Sequence, residues 1–133
     1  GHGLSYTRFS YSRPKLARRS LGPGDEQTVL VHVTNNGSRE GGEVIQLYVS
    51  APGGGTVPLH SLKGFERIEL KPSQSRVVQL KLSPRDLAVA EQDGTLRVRP
   101  GRYRLWIGGG QPGTNSPGAA ATFEVSGSEA VEP

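Results

Sequence analysis

The sequence predicts an all-β fold in which two antiparallel sheets pack face to face, built from about seven short strands. Three observations predict it. Apolar residues alternate with polar ones in segment after segment, which is the period of a strand half-buried on a sheet. Turn formers separate these segments at short intervals, and the 19 Gly and 10 Pro of the chain concentrate there. Only Ser83–Asp86 carries a helical signature, and it is one turn long. At 133 residues the chain is long enough to bury a real core as one domain, although only 33% of its residues are hydrophobic.

Each element follows from local residue types. Phe9–Leu16 alternates weakly and contains Pro14, so it reads as an edge strand. Leu21–Gln27 is a turn cluster around Gly22-Pro23-Gly24-Asp25. Thr28–Thr34 places Val29, Val31 and Val33 on one face of a strand. Asn35-Asn36-Gly37 predicts a turn, since Asn and Gly tolerate positive φ. Glu43–Ser50 is apolar on both faces, with Ile45, Leu47 and Val49 opposite Val44, Gln46 and Tyr48, as a central strand should be. Ala51–Pro58 is a Gly/Pro loop.

Leu62–Leu70 reads as a strand broken at Gly64, Pro72–Ser75 as a tight turn, and Arg76–Leu82 as a strand with Val78, Leu80 and Leu82 inward. Ser83 is placed as an N-cap with Pro84 at the first helical position. Asp93-Gly94 predicts a hairpin turn between Leu87–Glu91 and Thr95–Val98. Pro100-Gly101 turns into Arg102–Gly108, where Tyr103, Leu105 and Ile107 alternate with Arg102, Arg104 and Trp106. Gly108–Gly118 is a long loop, and Ala119–Ser126 is the last strand, with Phe123 and Val125 inward. The architecture is immunoglobulin-like, and Tyr103 is placed as its tyrosine corner, a hydroxyl tied to nearby backbone.

Composition narrows the function classes. The absence of Cys excludes disulfides and thiolate metal sites. No apolar run approaches membrane length. The net charge of +4 comes with twelve Arg and four Lys scattered among acids, as in Arg39-Glu40 and Glu66-Arg67-Ile68-Glu69. A nucleic-acid site would instead gather basic and aromatic residues on one element. His2, His32 and His60 lie far apart with no second metal ligand at a suitable spacing. His32, on a strand face, reads as a surface or interface residue. Gly108-Gly109-Gly110 leads into no helix that would hold a phosphate. Asp86, Asp93 and Glu66 sit in or beside expected turns, where capping explains them without catalysis. The residues alone describe a non-catalytic sandwich with no catalytic residue, no metal and no cofactor.

Four strings add what periodicity cannot: GHGLSYTRFSYS, VTNNGSREGGEVIQLYVSAP, LKGFERIELKPSQSRVVQLKLSPRDLA and PGRYRLWIGG. In this order and spacing they resemble the C-terminal fibronectin type III-like domain of glycoside hydrolase family 3, which includes β-glucosidases and β-xylosidases. The resemblance runs from Gly1 to about Val125. It implies that residues 1–8 are a linker from an upstream domain, 9–126 the sandwich and 127–133 a flexible tail. GHGLSYT, with no initiator Met, fits a domain cut from a longer protein. In that family the nucleophile is an Asp on an N-terminal barrel domain, and the acid/base usually comes from a following α/β sandwich domain. No catalytic residue therefore carries over to this chain. For the parent enzyme a periplasmic or extracellular location is expected, with the cytoplasm as the alternative. Ser73 stands where the family usually has Gly, a small departure if the turn is type I. The loop Gly110–Gly118 departs further from the family's short turn.

The resemblance implies an accessory domain whose partners are the barrel and α/β domains of the parent. Gln46, Tyr48, Phe65, Arg104 and Trp106 are the candidate docking residues, since aromatics and Arg are favoured at interfaces. Tyr48, Phe65 and Trp106 also fit a sandwich core, and for Phe65 the core is the first expectation. Two other functions fit a sandwich: a polysaccharide-binding module with Trp106 or Tyr48 stacking on sugar rings, and a free-standing adhesion or partner-binding domain.

Overall fold

The structure, a computed structural model, describes residues 8–52, 61–110 and 117–131. In chain order the elements are β1 (Phe9–Tyr11), β2 (Lys15–Leu16), β3 (Ser20–Leu21), β4 (Gln27–Asn35), β5 (Gly41–Ser50), β6 (Ser61–Leu70) and β7 (Ser75–Leu82). They continue with α1 (Pro84–Leu87), β8 (Val89–Ala90), β9 (Leu96–Val98), β10 (Gly101–Gly108), β11 (Gly118–Val125) and β12 (Glu129–Val131). One sheet centres on β4, with β7 on one side and β1 and β2 on the other. The second has the order β3-β11-β10-β5-β6. A small ribbon, β12-β9-β8, lies beside them.

Alternation decides what fills the sandwich. Val29, Val31 and Val33 of β4 are fully buried, as are Ile45 and Leu47 of β5 and Ile107 of β10. Tyr103 stacks on Phe123, its antiparallel neighbour on β11, with ring centroids 5.4 Å apart. The Tyr103 hydroxyl donates to the Arg99 carbonyl at 2.7 Å and accepts from the Arg99 N–H at 3.1 Å. The tyrosine corner thus satisfies both backbone groups of Arg99. Ser83 caps α1 reciprocally: its Oγ accepts from the Asp86 N–H, and the Asp86 carboxylate accepts from the Ser83 N–H at 2.8 Å.

Several connections differ from expectation. The tight turn expected at Pro72–Ser75 falls at Lys71–Gln74, and the strands it joins do not pair, because β6 and β7 belong to different sheets. The turn carries the chain from one sheet to the other. The Gln74 N–H returns to the Lys71 carbonyl at 3.0 Å, and Ser73 has φ of 67°. With Pro72 holding the first corner at negative φ, this is a type II turn rather than type I. The Gly expected at Ser73 is therefore a conformational requirement that serine meets at a cost.

Asn35 ends β4 without positive φ. Its buried side chain shapes the turn instead, donating to the Arg39 and Leu70 carbonyls and accepting from the Gly37 N–H. Two short strands were not expected. Ser20–Leu21 pairs in parallel with Glu124–Val125, at the start of the segment Leu21–Gln27 read as turn. Glu129–Val131 pairs with β9, where a frayed tail was predicted from Gly127. Of the other expectations, residues 1–7 of the linker, 53–58 of the Gly/Pro loop, 111–116 of the long loop, His2 and His60 lie outside the described residues.

Candidate functional site

The outer face of the five-stranded sheet gathers the predicted docking residues. Residues with even numbers on β5, β10 and β11 point away from the core, because their odd-numbered neighbours fill it. Register then sets them side by side. Ala120, Trp106 and Tyr48 lie opposite one another on β11, β10 and β5. Thr122, Arg104 and Ser50 form the adjacent row, and Gly108 faces Gln46.

β6 extends this face through an irregularity. Leu47 pairs with Gly64, but Tyr48 pairs with Leu62, so Lys63 is an extra residue in the ladder. The strand is bulged at this point rather than broken at Gly64. In a regular strand, residues 62 and 65 would point to opposite faces. Phe65, opposite Gln46, faces outward with the regular register of Ile68 and Leu70, and the bulge turns Leu62, opposite Tyr48, to the same side. Leu62 is 51% exposed and Phe65 64%. Phe65 is therefore not a core residue: its inner-face neighbours on the strand are Gly64 and Glu66. Leu62 was missed as a site residue. A Gly inside a strand pattern is the available signal of a bulge.

The aromatic residues of this face are held in place. The Trp106 indole N–H donates to the Gly110 carbonyl at 2.9 Å. Its ring lies over Gly118, where any side chain would collide with it. The Tyr48 hydroxyl donates to Gln46 Oε1 at 2.7 Å, and Tyr48 is only 8% exposed. Arg104 is exposed on the same face, and Arg102 pairs with Glu124 at 2.8 Å in the open. An exposed pair of this kind contributes little to stability.

Titratable groups elsewhere are occupied structurally. The Tyr11 hydroxyl, from the β4 sheet, donates at 2.9 Å to Glu43 of β5 and so bridges the two sheets. Burial raises the Glu43 carboxyl above its ordinary value, partly offset by this bond, and burial beside Glu43 raises the Tyr11 phenol. Hydrogen bonds from Arg97 and Arg99 lower Glu91. Asp86 caps α1, and Asp93 accepts from the Thr95 N–H, which lowers its carboxyl. Glu66 lies within β6, opposite Ile45, and not beside a turn as expected. His32 is exposed on β4. Among the described residues, no three His, Cys, Asp or Glu side chains are grouped to hold a metal ion.

Residues 43–111 match the family model of the fibronectin type III-like domain. The chain belongs to this family. The fibronectin type III-like chain is 41% identical over 109 residues to a β-xylosidase from Formosa agariphila, covering 81% of its own length and 15% of the xylosidase. It is 40% identical to a β-glucosidase from Rhizobium radiobacter, of which it covers 13%. Among solved structures, it superposes on a β-glucosidase from Erythrobacter marinus with a TM-score of 0.80 and 34% identity, covering 16% of that chain. With β-glucosidase 3B from Thermotoga neapolitana, in complex with α-D-glucose, the TM-score is 0.81 at 32% identity, and 98% of the present chain is covered. The chain thus spans only 12% to 17% of the length of such curated relatives. The matching region lies within β-glucosidases and β-xylosidases and forms their fibronectin type III-like part.

Proposed function

We propose that this domain is a non-catalytic accessory part of a family 3 β-glycosidase, packing on the catalytic domains of the parent through the outer face of its five-stranded sheet. The observation that carries this reading is the exposed pair Leu62 and Phe65, continuous with Tyr48 and Trp106 and flanked by Arg104. Large apolar side chains on a hydrogen-bonded sheet face, rimmed by Arg, have the composition of an interface core. The rigid neighbours matter too: Trp106 and Tyr48 are fixed by their hydrogen bonds, so docking would order little beyond Leu62 and Phe65. The parent enzyme would hydrolyse terminal β-linked sugars such as β-glucosides or β-xylosides, and the chemistry would lie in its barrel and α/β domains.

The same geometry speaks against a sugar platform. Tyr48 is almost wholly covered, and the Trp106 indole is laid over Gly118 with its N–H already bonded. Neither offers an open ring with a free polar edge of the kind sugar stacking uses. Titration with soluble glucans and xylans, followed by Trp106 fluorescence and calorimetry, is expected to give no saturable signal.

The direct test is genetic. The reading frame that encodes this chain is expected to continue into the coding sequence of an α/β domain upstream. The parent expressed without these residues is expected to lose thermal stability and soluble yield. Equal folding and equal turnover of an aryl β-glycoside without the domain would contradict the proposal.

A further inference from the structure

We infer that the free edge of β11 is a docking site for an extended, acidic peptide segment of a protein partner, which adds to the sheet as a strand. This site is separate from the face formed by Leu62 and Phe65 and does not depend on its role. β11 pairs with β10 along its whole length, but with β3 only at Glu124 and Val125. The Glu124 N–H points to β3, where it bonds the Arg19 carbonyl at 2.8 Å. By alternation, the N–H and C=O groups of Ala120 and Thr122 point the same way. No described strand pairs with them.

A groove of roughly 490 Å³ runs along this edge. One wall is the consecutive stretch Ala120–Glu124, and the other is Arg13–Leu16 with Arg19. Five consecutive strand residues of both parities can line one groove only if the groove follows the edge of the strand. Backbone donors and acceptors therefore face the opening, collinear with β3.

Charge selects the occupant. Arg13, Lys15 and Arg19 are exposed and form no ion pair among the described residues. Arg102, also at the groove, is paired with Glu124, the one carboxylate among the described residues that line it. A peptide strand meets both demands. Its backbone repeats donors and acceptors about 7 Å apart, the spacing from Ala120 to Thr122, and its acidic side chains reach the unpaired cations. An acidic polysaccharide supplies the charge but not this backbone register. Cations and Pro14 at a sheet edge also discourage unwanted pairing between copies, so the test must separate guarding from binding.

The test uses the 133-residue chain and a fluorescein-labelled peptide, Glu-Val-Glu-Val-Glu-Val. Anisotropy should show saturable binding that weakens with salt. Amide exchange at Ala120 and Thr122 should slow when the peptide is bound. The same peptide N-methylated at alternate residues, on the edge that would bond β11, should bind at least about tenfold more weakly. Arg13→Gln, Lys15→Gln and Arg19→Gln combined should weaken the unmodified peptide by about tenfold or more. No binding of the unmodified peptide would leave the cations as edge guards and overturn the inference. Equal binding of the methylated peptide, or of an oligogalacturonate, without slowed exchange at Ala120 and Thr122 would reduce the site to charge alone and overturn it too. The methylated-peptide comparison requires no variant, so it decides the question even if the triple variant does not fold.

Discussion

Ser73→Gly should stabilise the domain. Ser73 holds φ of 67° at the third position of the turn from Lys71 to Gln74. For a residue with a Cβ, the left-handed region costs roughly 1–2 kcal/mol, a penalty glycine lacks. Glycine also has more unfolded freedom to lose on folding, about 0.5–1 kcal/mol. Ser73 is exposed, and its side chain makes no hydrogen bond in the described structure, so the substitution removes no contact. Its N–H bond to the Asn35 carbonyl at 2.8 Å belongs to the backbone and is kept. The net expectation is a gain of about 0.5–1 kcal/mol. For a domain of this size, that raises Tm by roughly 2–5 °C. Urea unfolding should show a higher midpoint at unchanged m. Ser73→Val is the control: a β-branched residue at positive φ is strongly disfavoured, so the midpoint should fall. A midpoint for Ser73→Gly equal to or below that of the parent sequence would refute the type II assignment and the strain argument with it.

Other expectations follow from buried polar groups. Tyr103→Phe strips both backbone partners from Arg99 and should cost about 1–3 kcal/mol in urea unfolding; a loss near zero would mean water replaces the hydroxyl freely. Glu43→Gln tests the bridge to Tyr11. The folded-state carboxyl is raised above its unfolded value, chiefly by burial. Its contribution is therefore fully present below the ordinary carboxylate value and is lost as pH rises through the raised one. Denaturation midpoints measured from pH 4 upward should show the Glu43→Gln variant gaining on the parent sequence across that window, with the difference constant above it. A constant difference throughout would contradict the raised carboxyl.

Much of the fold was legible because long strands leave a long record. β4 and β10 repeat the two-residue period along nearly their whole length, and β5 and β11 mark their inner face at Ile45, Leu47 and Val49 and at Phe123 and Val125. Ser83, Pro84 and Asp86 announce α1 through residue types with one structural use. β3 is two residues long and β12 three, too short for any period to show. Their pairing comes from where the sandwich brings the chain, a tertiary effect. Whether β6 and β7 pair or part company was equally invisible, since Lys71–Gln74 suits a hairpin as well as a sheet-to-sheet corner. The candidate face was half legible. Trp106, Tyr48 and Gln46 follow from strict alternation, as does Phe65 once Ile68 and Leu70 are inward, whereas Leu62 depends on one extra residue at Lys63. A slip of one residue moves side chains to the opposite face, and this is why Leu62 passed unnoticed; Phe65 read as core on its residue type, although it alternates with the buried Ile68 and Leu70.

The central claim is that this sheet face docks on the catalytic domains of a parent enzyme. The most direct measurement is calorimetric titration of the isolated chain into the catalytic portion expressed without it, comparing the parent sequence with Phe65→Asp. Phe65 is 64% exposed, so the variant should keep its stability within about 0.5 kcal/mol. Its association should nevertheless weaken by about 2 kcal/mol or more, the scale of an interface hot spot, or roughly thirtyfold in Kd. Equal affinity of both forms, with both folded, would show that the domain docks elsewhere or not at all.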